Sequence, residues 1–138
     1  MIKSDLIHPQ LLCALAQCGH KSQLLIADGN YACVTNAPKD ATRVYLNLSP
    51  GTLAAPLILE KILTSINVES AALMACPPDF INGAEAEYRR LLPASCAIEH
   101  LAREDFYAAV KSDRTLLVIA SGERRRFANL LLTVAPVA

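Results

Sequence analysis

Net charge is the first thing this chain does not have. Its 13 Lys and Arg are matched by 13 Asp and Glu, and charged residues make up only 19% of the 138 positions. A chain without a field of one sign has nothing to draw nucleic acid or an anionic membrane surface toward it. Cysteine is present, but not in a framework. Cys13, Cys18, Cys33, Cys76 and Cys96 are odd in number and contain no C-x-x-C pair. Neither a disulfide scaffold nor a zinc ribbon follows, and free thiols fit a reducing compartment. Signature motifs are missing too. There is no Walker loop, no G-x-G-x-x-G, no H-E-x-x-H and no nucleophile elbow. His8, His20 and His100 lack ligand spacing, so no metal is expected. Met1-Ile2-Lys3-Ser4-Asp5 has no signal-peptide core, and no run reaches membrane-spanning length. The expected setting is the cytoplasm.

What is present is apolar surface, at 53% of residues, above the usual 45–50% of a soluble domain. One domain of this size buries a single core, and the excess predicts burial between copies as well, hence a homo-oligomer. Leu11, Leu12, Leu15 and Ala16 recur at helical spacing, with Pro9 suited to the first turn and Gly19 to a left-handed residue past the end. Leu24-Leu25-Ile26-Ala27 is a short buried strand closed by Asp28-Gly29-Asn30. Arg43-Val44-Tyr45-Leu46 reads as a second strand. Thr52 is placed to cap a helix carrying Leu53, Leu57, Leu59, Ile62, Leu63 and Ile66. Further strands are expected at 71–74, 97–101, 116–120 and 129–134, with helices at 83–92 and 103–112. Alternating helices and near-continuous apolar strands specify an α/β domain covered on both faces of its sheet.

Candidate chemistry sits at strand ends: His20, Asp28, Arg103, Glu123 and Asn129. Open α/β sheets gather ligands at the carboxyl ends of strands, where Asp28, Arg103 and Glu123 can share a cleft. Backbone N–H groups of Ser121-Gly122-Glu123 are a weak candidate phosphate cradle, and Arg124-Arg125-Arg126 reads more naturally as a solvated loop than as a binding patch. One imidazole, a carboxylate, a guanidinium and amides suit a small neutral polyol with acid–base chemistry.

The order of motifs resembles the ribose pyranase / L-fucose mutarotase (RbsD/FucU) family along nearly the whole length. The likeness is carried by Leu-Leu-x-Ala-Leu-Ala-x-x-Gly-His at 11–20, Leu-Leu-Ile-Ala-Asp at 24–28, Arg43, and Pro-Gly-Thr-Leu at 50–53. Its most specific part is Arg-x-x-Phe-Tyr at 103–107 followed by Ser-Gly-Glu-Arg-x-x-Phe-Ala-Asn-Leu-Leu-Leu at 121–132. The resemblance implies a three-layer α/β/α sandwich with a mixed, largely parallel sheet, assembled into a homo-oligomer such as a decamer with sites at subunit boundaries. It implies an isomerase that interconverts cyclic forms of a free monosaccharide without cofactor or metal. Arg103 and Tyr107 place the chain nearer the L-fucose mutarotase branch, with a D-ribose pyranase or a non-catalytic sugar binder as the alternatives. By the same resemblance His20 is the acid/base, Asp28 its orienting partner or a sugar ligand, and Arg103, Tyr107, Phe127 and Asn129 contact the substrate. The chain departs from the family pattern at Phe127, where tyrosine is usual, and in Asp28-Gly29-Asn30-Tyr31-Ala32, where Asp-x-x-Phe-Pro is usual.

Overall fold

Strand β1 (Gln23–Ala27) is buried at every residue, as a strand must be when both faces of its sheet are covered. The computed structural model describes Met1–Ala138. Around β1 lie α1 (Pro9–Gln17), β2 (Thr42–Tyr45), α2 (Ala55–Ile62), β3 (Asn67–Met74), α3 (Gly83–Leu91), β4 (Ala97–Leu101), α4 (Arg103–Val110), β5 (Thr115–Ala120) and β6 (Leu130–Ala135). They form one sheet of six strands in the order β2-β5-β1-β6-β3-β4. The pairs β1–β5, β2–β5 and β3–β4 are parallel, and β6 runs antiparallel to β1 and β3. The direction of β6 follows from its connection. Segment 121–129 carries no helix, and a parallel return normally needs a helical crossover. The amino end of β6 therefore meets the carboxyl ends of the other five strands at one edge of the sheet.

Alternation along each strand divides the core. Leu24, Ile26, Leu117, Ile119, Leu130 and Leu132 face the layer of α1, α2 and α3, where they meet Leu11, Leu15, Leu59, Ile62 and Tyr88. Leu25, Ala27, Val118, Ala120 and Leu131 face the other way, onto α4 through Phe106 and Val110 and onto the 31–41 segment through Cys33, Ala37 and Ala41. The result is the expected three-layer sandwich, with its second layer part helix and part loop. No helix is long and apolar enough to cross a membrane.

Local details differ from the sequence reading. Helix α1 ends with Cys18 in extended backbone, its N–H returning to Leu15 O. The left-handed residue is Lys21 (φ 72°) and not Gly19, because the chain turns only after leaving the helix. Thr52 does not cap α2; its Oγ1 pairs with Ser49 Oγ at 2.8 Å. The N-cap position is Ala54, and Ala55 N–H donates instead to the Glu123 carboxylate at 3.3 Å. Leu53 lies outside the helix with φ 56°, and Leu57 is 44% exposed.

Candidate active site

Asp28 is the first residue past β1 and is only 4% exposed. Its N–H donates to Asn129 Oδ1 at 2.7 Å, joining the carboxyl end of β1 to the amino end of β6. Its Oδ1 accepts from Asn30 N–H at 3.0 Å. Burial pushes the Asp28 carboxyl above its ordinary range; the backbone N–H groups around it pull the other way without cancelling that effect, and the nearby Glu123 charge adds to it. Asn129 spends its carbonyl oxygen on Asp28 and keeps its Nδ2 without a protein acceptor, open to the adjoining cavity. A carboxylate and an amide donor thus project side by side from the sheet edge.

One wall of this cavity is the 31–41 segment, and Arg43 holds it. The guanidinium donates from Nε to Cys33 O (2.8 Å), from one terminal nitrogen to Ala41 O (3.0 Å) and from the other to Pro38 O (3.0 Å). A polar loop with no ladder of its own has its carbonyls satisfied by one side chain. Tyr31 O–H donates to Asn36 O at 2.7 Å, and its ring meets Tyr107 of α4 edge-on at 5.9 Å.

The opposite wall is the 126–129 end of segment 121–129. Gly122 passes so close to the 49–53 turn that only glycine fits: a Cβ there would stand 1.9 Å from Thr52 O. Glu123 (3% exposed) binds Arg125 through both carboxylate oxygens at 2.9 Å, and Arg125 also reaches Glu87 at 2.7 Å. Arg125 holds the Glu123 carboxyl below its ordinary range. Phe127 sits at φ 58°, a costly backbone for an aromatic residue. It is held there by Asn82 Nδ2, which donates to Phe127 O at 2.9 Å, and by the buried Tyr88 O–H, which donates to Ala128 O at 2.6 Å. Phe80 stacks edge-on against Phe127 at 4.9 Å. The open cleft between the walls is about 370 Å³, with Asp28, Arg103, Tyr107, Phe127 and Asn129 all on its lining.

His20 is elsewhere. It precedes β1, so the whole strand, roughly 16 Å at about 3.3 Å per residue, separates it from Asp28. Its Nε2 lies 3.1 Å from Glu69 Oε2, and Lys21 Nζ binds the other oxygen of Glu69. Glu69 falls where the register of β3 slips against β6 between Val68 and Ser70, and such bulges re-aim a side chain. Within one chain Glu69, and not Asp28, orients His20. Glu123 does not share the Asp28 cavity either: it pins α2 and Arg125. The N–H groups of Ser121, Gly122 and Glu123 bond to Ala27 O, Leu53 O and Ser121 Oγ, which leaves none to cradle a phosphate.

Several residues escaped the sequence reading. Arg126 lines the cavity with its guanidinium 5.2 Å from the Phe80 ring centroid. An arginine triplet gives no sign of which member is paired, which is free and which faces solvent. Asn82 is the N-cap of α3, its side chain accepting Glu85 N–H at 3.1 Å. Its grip on Phe127 was not legible, being a contact between residues 45 apart in sequence.

The comparisons agree with one another. Residues 1–137 match the model of the RbsD / FucU transport protein family. Human fucose mutarotase is 30% identical over 137 residues, covering 92% of this chain and 87% of its own. The D-ribose pyranase of Paracidovorax citrulli is 27% identical over 132 residues, covering 96% and 95%. Among solved structures, Bacillus subtilis RbsD complexed with D-ribose superposes with a TM-score of 0.85 at 25% identity, covering 100% of this chain and 99% of that one.

Proposed function

The chain belongs to the RbsD / FucU family, and from that premise we propose that it is a sugar isomerase interconverting the cyclic forms of a free monosaccharide. The observation that carries the reading is the Asp28–Asn129 pair. A buried carboxylate and an unspent amide face a cavity about the size of a small ligand, floored by the Phe127 ring. Carboxylate and amide bind hydroxyls, and an apolar ring suits the C–H face of a pyranose.

The reaction asks little of the protein. A base takes the proton of the anomeric hydroxyl, and that O–H pair becomes the second bond of a carbonyl. The ring C–O bond breaks, and its electron pair takes a proton on the ring oxygen. Rotation and reclosure by the reverse steps give the other anomer or ring size. No electron changes hands, so no redox partner enters. Asp28 is the group in the cavity able to accept a proton, and Asn129 Nδ2 can hold a sugar oxygen while it does so. We assign the complementary proton transfer to His20 of a second copy, because in its own chain it lies beyond reach of the cavity. An imidazole, titrating ordinarily near neutrality, suits that task. Glu69 is its positioning partner. The shared site makes the active species a homo-oligomer.

The Arg103 and Tyr107 pattern favours a hexose of the L-fucose type. The ring opening of D-ribose is the second reading, supported by the pyranase among the relatives. Magnetisation-transfer NMR on equilibrated L-fucose, D-ribose and D-galactose, with and without protein, tests the proposal. Anomer exchange accelerated for L-fucose is expected, pyranose–furanose exchange of ribose favours the second reading, and acceleration of no sugar refutes both.

A further inference from the structure

The charges around the cavity do not balance. Asp28 is the one acidic residue on its lining, and Arg103 and Arg126 are the two cations. Arg125 is occupied by Glu123 and Glu87, Arg43 by backbone carbonyls and Arg89 by Glu85, while the unpaired Arg124 is exposed and off this lining. Arg103 and Arg126 accept no such partner. Neither donates a hydrogen bond to the protein or stands within ion-pair distance of a carboxylate.

Both are exposed residues whose side chains lie on the lining of the cavity. Arg103 is the first residue of α4, at the positive end of the helix dipole, where an arginine is disfavoured. Glu104 and Asp105 of the same turn answer the helix dipole but do not lie on the cavity lining, where Arg103 does. Arg126 rests on an aromatic ring. Its guanidinium lies over the half-buried Phe80, which is braced on Phe127, whose carbonyl is held by Asn82. A cation–π contact draws the group toward the cavity wall and leaves its N–H groups unspent. An unspent guanidinium fork is the group that binds a carboxylate bidentately.

We propose that the substrate of this site is an anionic monosaccharide, a uronate whose carboxylate is held by Arg126 and Arg103 while Asp28 and Asn129 engage the anomeric end. This rests on the ring-opening reading above and narrows its substrate class: the hexose frame stays, and an exocyclic carboxylate stands where L-fucose has a methyl. Charge selects the carboxylate over a phosphate ester. Two guanidinium groups and one carboxylate leave a single positive charge, which a monoanion neutralises and a dianion overshoots. Lys21, beside His20, is already paired with Glu69 of β3 and so adds no unpaired cation.

The test compares exchange rates by magnetisation-transfer NMR for galacturonate and glucuronate against galactose, glucose, L-fucose and glucose 6-phosphate, using the intact protein. Uronates should be accelerated with kcat/KM at least about tenfold above their neutral counterparts, carried mainly in KM and eroded by salt. Arg126→Met should cut the uronate-to-neutral ratio roughly tenfold, and Arg126→Lys should restore part of it as a point charge without the fork. Neutral sugars accelerated as well as uronates, or a ratio unmoved by Arg126→Met, overturns the anionic substrate and leaves the isomerase standing. A preference for glucose 6-phosphate overturns the carboxylate. Acceleration of no sugar overturns both this inference and the functional reading beneath it.

Discussion

Gly122→Ala should be the most destabilising single-methyl change in the molecule. The new Cβ would lie 1.9 Å from Thr52 O and 2.8 Å from both Thr52 C and Ser49 O, all backbone atoms that no rotamer change can move. Relief requires the 49–53 turn to retreat by more than an ångström. That motion breaks Gly122 N–H to Leu53 O (3.0 Å) and Gly51 N–H to Gly122 O (2.6 Å). Overpacking costs about 1–3 kcal/mol and each lost hydrogen bond about 1 kcal/mol, so the sum is about 3–5 kcal/mol. Against a typical stability of about 5–15 kcal/mol this is a large share. The control is Gly19→Ala, where nothing lies within 4 Å and φ is not positive; it should stay within about 0.5 kcal/mol of the parent. Urea unfolding followed by circular dichroism, at one fixed protein concentration because assembly contributes to stability, reads both. A Gly122→Ala midpoint within 1 kcal/mol of the parent would refute the wedge geometry.

Other consequences are equally concrete. Tyr88→Phe leaves the buried Ala128 carbonyl without its 2.6 Å donor and should cost about 1–2 kcal/mol, measured by the same unfolding curves. Glu123 has its carboxyl depressed in the folded state, so its contribution is present above the unfolded value of about 4.3 and lost as pH falls through the folded one. Glu123→Gln should flatten that acid limb, and an unchanged limb would show that another carboxylate sets it. The Asp28 carboxyl is raised by burial, so kcat/KM should climb with pH through an inflection above the ordinary carboxylate range. A rate–pH profile flat from pH 4 to pH 8 would remove Asp28 as the base. Asn129→Ala should raise KM about tenfold, because it deletes a sugar donor and releases the Asp28 N–H together.

What the sequence made legible is what local chemistry dictates. The buried strand 24–27 is continuous and aliphatic, and the helix expected at 83–92 forms as Gly83–Leu91. Asp28, Arg103, Tyr107, Phe127 and Asn129 were named from their positions at element ends and from family likeness, and the fold brings all five to one cavity. The failures are long-range. Nothing local to Thr52 says that a glutamate some seventy residues away takes the N–H of Ala55. Nothing in three consecutive arginines says that the second is consumed by Glu123 and Glu87 while the third rests on Phe80. His20 and Asp28 look close because one strand separates them in sequence, yet a strand is a rigid spacer that holds its two ends apart.

That separation makes the shared site the account's central claim, and complementation tests it most directly. Equal amounts of the His20→Ala and Asp28→Asn proteins, each inactive alone, are unfolded together, refolded and assayed for sugar ring exchange by magnetisation-transfer NMR. If each site takes Asp28 from one copy and His20 from another, random assembly restores about a quarter of the parent's sites, and the mixture should regain activity to match. A mixture as inactive as its components, with the assembly intact and mixed, would contradict a site built from two copies of the chain.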